Sequence, residues 1–312
     1  MASYRPRGAL ARAIFEKVHN DQYLDEYDTR LWYTLNKPLS ERFQSKFISF
    51  ERPDDITLNW LEKAKSVSAN IWLQIWHTVA RVFLGLFMTQ TDVNGLLNRG
   101  SMFILSEIQF KDLLAASGFD LSHFSKNSTI DMLDIGAGDG EITIRLANSL
   151  LYMKDDAPLR VYATETSWTM RSRLQKKQFI VLDDISEVSN IPLVSCLNVL
   201  DRCIDPHQIM QDIYDVLAPN GRVIVALVLP YVHYVEYNSS HLPLSPLLPH
   251  WPKKARQYPF EIEAAMFFEM LENIGFRLEA WTKAPYLCEG DLRQSFYWLV
   301  DVVVVLSKKV RL

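Results

Sequence analysis

The stretch LDIGAGDGE, Leu133 to Glu141, decides how the rest of the chain is read. The apolar run TIDMLDI (129–135) enters it as a strand. The pattern GEITIRLANSLLY (140–152) leaves it as a helix with Ile142, Leu146 and Leu150 on one face. Between them, glycines let the backbone turn sharply and come close to a ligand. A Gly-x-Gly pair alone is weak evidence, because dinucleotide folds share it. Here the spacing is Gly-x-Gly-x-Gly, and two carboxylates, Asp134 and Asp139, flank the turn. A carboxylate in that place suits a cationic amino group and repels a pyrophosphate. Asp134, Gly136, Ala137, Gly138, Asp139 and Gly140 are therefore expected to bind a cofactor with a positive charge.

Outward from this loop, strands and helices alternate. RVYATE, FIVLD, LVSCLNVL and RVIVALVLP read as strands; SWTMRSRLQKK, PHQIMQDIYDVLAP and EIEAAMFFEMLENIG read as helices. RLEAWTKA and FYWLVDVVVVL close the chain as strands. Such alternation predicts a doubly wound α/β sheet. Glu165 ends the strand after the loop, where an acid can accept both hydroxyls of a ribose. Asp183 and Asp184 end the next strand, where an adenine amino group could be read. SCLNVLDRC (195–203) is an apolar strand that ends in Asn198, Asp201 and Arg202, polar groups that are costly against a core unless something satisfies them. HLPLSPLLPHWPKKARQYP (241–259) holds five of the 14 prolines and reads as a long loop on the carboxyl edge of the sheet. It is either an insertion without a role or a substrate lid.

The first hundred residues read as helical: RLWYTLN, LSERFQSKFISF and a long helix from Thr57 to Thr89. SEIQ (106–109) has the spacing of a capping box, so a helix should run through FKDLLAAS and stop at Gly118. Within the long helix, Gln74, His77, Thr78 and Arg81 share one face. That reads as a mostly buried amphipathic helix with His77 on its polar side, not as a transmembrane span; lying on a membrane surface is the lesser reading. The boundary is expected between a helical region, 1–128, and a sheet domain, 129–312. The chain has 312 residues, of which 48% are hydrophobic, enough for one large core with a helical extension. Net charge is −4 and no basic block stands out, so a nucleic-acid partner is not expected. Three scattered cysteines exclude a disulfide framework and a zinc site, and no metal site is expected. MASYRPRGALARAIFEK has no apolar core of the kind a secretory signal needs. It reads as a partly helical terminus, with a mitochondrial presequence as the other reading.

The glycine loop with acids at successive strand ends resembles the S-adenosylmethionine-dependent methyltransferases of class I, a Rossmann-like α/β fold of seven strands. The resemblance covers Ile130 to Leu306 and implies strand order 3-2-1-4-5-7-6, with the seventh strand antiparallel. NGLLNRGSMF, YATE, LQKK, SCLNVLDRC, GRVIVALVLP, PYVHYVE and PYLCEGD narrow it further. From Asp92 onward the chain resembles the DREV family of protein-histidine methyltransferases.

That resemblance implies methyl transfer from S-adenosyl-L-methionine, leaving S-adenosyl-L-homocysteine. The acceptor implied is the pros nitrogen (Nδ1) of histidine in His-x-His motifs, giving 1-methylhistidine. The partners implied are proteins or peptides with alternating histidines. A monomer is expected, with no nucleic acid and no transmembrane span. No leader is evident, whereas the family suggests the endoplasmic reticulum or mitochondria. In this class the end of the fourth strand lies beside the transferable methyl. Asp201 is then the candidate acceptor for the imidazole Nε2–H, and Asn198 contacts the methionine part of the cofactor or the substrate. Asp184 falls at the adenine position and Glu165 at the ribose. Tyr286 is carried over as a cofactor contact, and Tyr297 as a residue that orients the target imidazole. Arg202, Cys203, Cys196 and Cys288 are read as structural. The same loop and acids would serve a methyltransferase for a small molecule or another protein nitrogen, or a cofactor-binding scaffold without catalysis.

Overall fold

The computed structural model describes residues 8–124, 129–153, 158–235, 240–248 and 258–309. Eight strands form one sheet: β1 (Met102–Phe103), β2 (Ile130–Ile135), β3 (Leu159–Thr164), β4 (Ile180–Leu182), β5 (Ile191–Leu197), β6 (Leu217–Val228), β7 (Phe276–Glu289) and β8 (Phe296–Lys308). Their order is β1-β7-β8-β6-β5-β2-β3-β4. Read from the β4 edge, seven of them follow the 3-2-1-4-5-7-6 order, with β8 antiparallel to both of its neighbours. The difference from expectation is the eighth strand. Met102 and Phe103 pair antiparallel with Cys288 and Leu287, so a segment of the N-terminal region extends the sheet past β7.

The central strands are apolar because helices cover both faces. Val223, Ile224, Val225, Ala226 and Leu227 on β6 are fully buried, as are Val302 to Leu306 on β8. The helices of the sheet domain are α7 (Glu141–Met153), α8 (Trp168–Lys176), α9 (Pro206–Val216) and α10 (Phe260–Ile274). Before them come α1 (Ala9–Glu26), α2 (Glu41–Gln44), α3 (Asp55–Ala69), α4 (Ile71–Leu84), α5 (Gln90–Leu96) and α6 (Glu107–Ala116). One apolar cluster joins the two regions: Trp32, Trp60 and Leu61 pack with Ile130, Ala284, Tyr286 and Val303. The capping box is present as read. The Ser106 hydroxyl accepts from the Gln109 N–H at 3.1 Å, the Gln109 side chain accepts from the Ser106 N–H at 3.0 Å, and the helix ends before Gly118.

Several local expectations are corrected. LSERFQSKFISF is helical only over Glu41–Gln44, because Phe47 leaves to bridge Trp281, whose indole N–H donates to the Phe43 carbonyl at 2.7 Å. The helix PHQIMQDIYDVLAP stops at Val216, and Leu217 already pairs with Ile191. Strand LVSCLNVL stops at Leu197. Strand RLEAWTKA continues to Glu289 and so takes most of PYLCEGD into the sheet. The Pro-rich loop is non-regular over 241–248, and the remainder of that expectation, 249–257, lies outside the described residues.

The long helix from Thr57 to Thr89 is two helices. Asn70 ends α3, and its side chain accepts from the Leu73 N–H at 3.1 Å to start α4. An asparagine that caps the second helix competes with continuing the first. The expected burial of α4 is also inverted. Gln74 and His77 of its polar face are buried, while Trp72 and Trp76 are exposed. Two residues of the polar face turn inward, while Thr78 and Arg81 of the same face stay exposed. The Gln74 amide donates to the Val67 carbonyl at 3.1 Å, and His77 lies within reach of the charges of Arg99 and Glu289. Burial, then Arg99, lowers the His77 pKa. Among the described residues no helix is long and apolar enough to cross a membrane.

Candidate active site

The cofactor loop follows β2. Gly136 has φ +67°, and a Cβ there would meet Val199 Cγ2 at 2.5 Å. Val199 follows Asn198, so the absence of a side chain at Gly136 lets the loop after β5 close onto the loop after β2. Gly138 has φ +55°, and the nearest atom a Cβ would meet is Met102 Cε at 3.7 Å. The left-handed backbone at both positions favours glycine, which has no Cβ to strain it. Asp139 is nearly buried, and its carboxylate accepts from the Glu141 N–H at 3.1 Å in the first turn of α7. Burial raises its pKa.

Asp134 is placed differently from a ligand-facing acid. Its Oδ1 accepts from Ser195 Oγ at 2.7 Å and its Oδ2 accepts from Thr143 Oγ1. Burial, opposed by these two hydroxyls, pushes its pKa up to about 6. Asp134 thus ties β2 to β5 and to α7, and holds the floor of the loop. Glu165 ends β3 and spans the loop from the other side. Its Oε2 accepts from the Gly138 N–H at 2.9 Å and its Oε1 from the Ser167 N–H at 2.9 Å. Asp184 is exposed and caps the short helical turn after β4, with Oδ1 accepting from the Ser186 N–H at 2.8 Å.

Across the loop, the end of β5 meets β8. Asn198 has φ +56°, an uncommon conformation for a residue other than glycine. Two bonds hold it there: its N–H donates to the Ala226 carbonyl at 3.0 Å, and its Nδ2 donates to Asp301 Oδ2 at 2.8 Å. Asp301 is fully buried, and burial pushes its pKa up to about 8, with the nearby Asp201 charge adding to the rise. Asp201 is also buried and its pKa is raised by burial, with Arg202 opposing at 3.6 Å. The Asp201 carbonyl accepts from the Tyr234 N–H at 2.8 Å, which anchors the segment leading to the Pro-rich loop. Tyr286 is buried on β7 beside the charges of Arg202, Asp301 and Asp201, and its hydroxyl donates to Met102 Sδ.

Among the described residues, three oxygens in this cluster have no hydrogen-bond partner: Asn198 Oδ1, Asp201 Oδ1 and Asp301 Oδ1. Asn198 Oδ1 and the Asp201 carboxylate Oδ1 are acceptors. Since Asp301 accepts from the Asn198 Nδ2, the amide cannot turn to present a donor. A buried, unsatisfied acceptor costs about 1–3 kcal/mol, more when charged. The cluster is therefore made to receive N–H groups or positive charge. The ammonium and sulfonium of S-adenosylmethionine fit such a set, and the bare backbone at Gly138, beside Met102, fits close contact with a nucleoside.

Tyr297 is not drawn into this cluster. It lies four residues before Asp301 on β8, about 13 Å along the strand. Its hydroxyl donates to Asp291 at 2.9 Å, and burial followed by that bond raises its pKa. Two members escape a reading of the sequence. Asp301 is the one acid inside WLVDVVVVL, and a lone carboxyl in an apolar strand is itself a signal of a buried, partnered charge. Met102 sits between Gly138 and Tyr286 through β1, which is two residues long and has no sequence signature.

Among solved structures, this chain is similar to a TehB-like SAM-dependent methyltransferase from Corynebacterium glutamicum. They share 17% identity over 65% of this chain and 96% of that one, with a TM-score of 0.36. A precorrin-6y C5,15-methyltransferase from Geobacter metallireducens matches at 15% identity, covering 63% and 88%, with a TM-score of 0.36. The DszA carbon methyltransferase matches at 18%, covering 82% and 70%, with a TM-score of 0.44. The family model described as DREV methyltransferase matches residues 32–308, which takes in every residue of the loop and of the acceptor cluster. S-adenosylmethionine is accordingly the methyl donor, with S-adenosylhomocysteine as product, and the chain belongs to the DREV methyltransferase family.

Proposed function

We propose that this protein is a protein-histidine N-methyltransferase that modifies the Nδ1 atom of histidine in His-x-His motifs of protein substrates. The observation that supports it is the pair of unpartnered buried acceptors Asn198 Oδ1 and Asp201 Oδ1, the first fixed by the bond of its amide to Asp301. Neutral imidazole brings to such a site one N–H donor and one lone pair, and its ordinary pKa near 6.5 keeps it neutral at physiological pH. S-adenosylmethionine, when bound, supplies an electrophilic methyl on sulfur. In this reading Asp201 Oδ1 accepts the imidazole Nε2–H and so leaves Nδ1 with the free lone pair. Methyl transfer to Nδ1 would leave the imidazole a cation and the donor as the neutral thioether. Asp201 stabilises that cation, and the burial that raises its pKa strengthens the attraction. Asn198 Oδ1, fixed by Asp301, accepts from the cofactor's ammonium. Tyr286 and Met102 wall the methionine part. Tyr297, outside the cluster, holds its hydroxyl proton on Asp291.

Glu165 is proposed to accept the ribose hydroxyls in place of the Gly138 N–H. Glu165→Ala is expected to weaken S-adenosylmethionine binding by about 10- to 100-fold, since charge-assisted hydrogen bonds contribute about 1.5–3 kcal/mol. Calorimetry measures this directly, and unchanged affinity removes Glu165 from the site.

The reading as a whole is tested on peptide arrays carrying His-x-His, single-histidine and lysine sequences, with methylation mapped by mass spectrometry. Methyl on Nδ1 of the alternating-histidine peptides alone is the expected result. Methylation of lysine, of a small molecule only, or of nothing despite bound cofactor would sink it.

A further inference from the structure

Helix α5 belongs to the N-terminal region, yet its one acid, Asp92, is tied to the turn that carries Glu165. Asp92 is buried, and hydroxyls occupy both oxygens of its carboxylate. Oδ1 accepts from Ser167 Oγ at 2.5 Å and from Thr169 Oγ1 at 3.4 Å, and Oδ2 accepts from Thr89 Oγ1 at 2.9 Å. Thr169 Oγ1 also stands 3.0 Å from Ser167 Oγ. The two helices come close enough to need a glycine: a Cβ at Gly95 would meet Thr169 Oγ1 at 2.3 Å. Packing alone does not call for a carboxylate at Asp92, since an apolar side chain would fill a buried place at lower cost. What the carboxylate adds is direction. By taking the Ser167 hydroxyl proton, it leaves the oxygen lone pairs to cap α8, where they accept from the Met170 N–H at 3.3 Å. The capped backbone at Ser167 presents its own N–H to Glu165 Oε1 at 2.9 Å, while Glu165 Oε2 accepts from the Gly138 N–H at 2.9 Å.

We propose that Asp92 is a positioning residue for cofactor binding: acting through Ser167, it fixes the side chain of Glu165 that takes the ribose hydroxyls. The proposal rests on that role of Glu165. Glu165 is half-buried and has a long side chain. Without a fixed donor at Ser167, Oε1 loses its hold and the side chain spreads over its rotamers, a freedom that ribose binding must then remove. Asn198 and Asp201 are held from elsewhere, by the Ala226 carbonyl, Asp301 and the Tyr234 N–H, so the effect falls on cofactor affinity.

Calorimetry of the full chain with S-adenosylmethionine tests this without reference to the methyl acceptor. Asp92→Ala is expected to weaken binding by about tenfold, the scale of one hydrogen bond to a charged group. Asp92→Asn keeps an oxygen for the Ser167 hydroxyl, so affinity should return to within about twofold of the parent. Ser167→Ala cuts the same link from the α8 side and should lose as much, so the answer does not depend on Asp92→Ala folding. In a chain already carrying Glu165→Ala, either alanine substitution should weaken binding no further, because its effect runs through the missing carboxylate. Equal losses with and without Glu165 would show that Asp92 only holds the helices together, and would overturn the proposal. So would parent affinity in Asp92→Ala where Glu165→Ala is weakened. Unchanged affinity in Glu165→Ala alone is a separate result: it removes the ribose role of Glu165, and the proposal falls with it.

Discussion

Asp201→Ala is expected to lower methyl transfer to a His-x-His peptide by about a thousandfold, while S-adenosylmethionine affinity stays within a few-fold. The size follows from removing one preorganised partner of a charge that develops in the transition state, typically a factor of about 10² to 10³. Tautomer selection adds to it, since without the acceptor Nδ1 is protonated in part of the bound peptides. Cofactor affinity is spared because the proposed partner of the ammonium is Asn198, which Asp301 holds independently. Asp201→Asn separates the two parts. It keeps an oxygen acceptor and loses the charge, so it should retain more activity than the alanine variant. Mass spectrometry of methylated peptide gives the rate, and calorimetry gives the affinity. Activity near that of the parent in Asp201→Ala would end the assignment.

Asp301→Asn is expected to flatten the pH dependence of stability in the cofactor-free protein. A carboxyl near 3.9 in the unfolded chain is lifted to about 8 in the folded one by burial. Between those values the folded protein keeps a proton that the unfolded chain has released. Its contribution is therefore full below about pH 4 and is lost as pH rises toward about 8. A gap of that width corresponds to a loss on the order of 5 kcal/mol at its upper bound. Asp134, lifted to about 6, acts in the same direction over the lower part of the window. Melting temperatures measured from pH 5 to 8.5 should fall more steeply for the parent than for Asp301→Asn. Parallel curves would mean that Asp301 is ionised in the fold. Bound cofactor should narrow the difference, because a cation beside the cluster favours the carboxylate.

The loop and the capped helix at Ser106 were legible because each is written locally, whereas the seven-strand order came from the resemblance. Glycines at 136, 138 and 140 sit where φ is positive. Serine and glutamine three apart satisfy the free N–H groups of a helix end. The candidate site was legible in part. Asn198 and Asp201 stood out as polar residues after an apolar strand, and the structure bonds Asn198 to Asp301 and brings Asp201 within charge range of Tyr286. Tyr297 was drawn to the same place by resemblance, but its position four residues from Asp301 and its bond to Asp291 set it at the rim. Asp134 and Asp184 were marked as acids at strand ends, a pattern that does not say which way a carboxylate turns. One is held by two buried hydroxyls and the other caps a turn.

Sequence by itself determined the alternation of strand and helix and the glycine turn of the cofactor loop. These follow from backbone sterics, from side-chain period and from caps, all of which act within a few residues. Tertiary structure alone decided three things. It joined Asn198 to Asp301 across 103 positions and so fixed the amide as an acceptor. It added Met102 to the sheet edge and brought its side chain over Gly138. It also turned Gln74 and His77 of α4 inward and left Trp72 and Trp76 exposed. A helix with two unlike faces carries no record of which one its neighbours will cover, and here Gln74 reaches the Val67 carbonyl of the preceding helix.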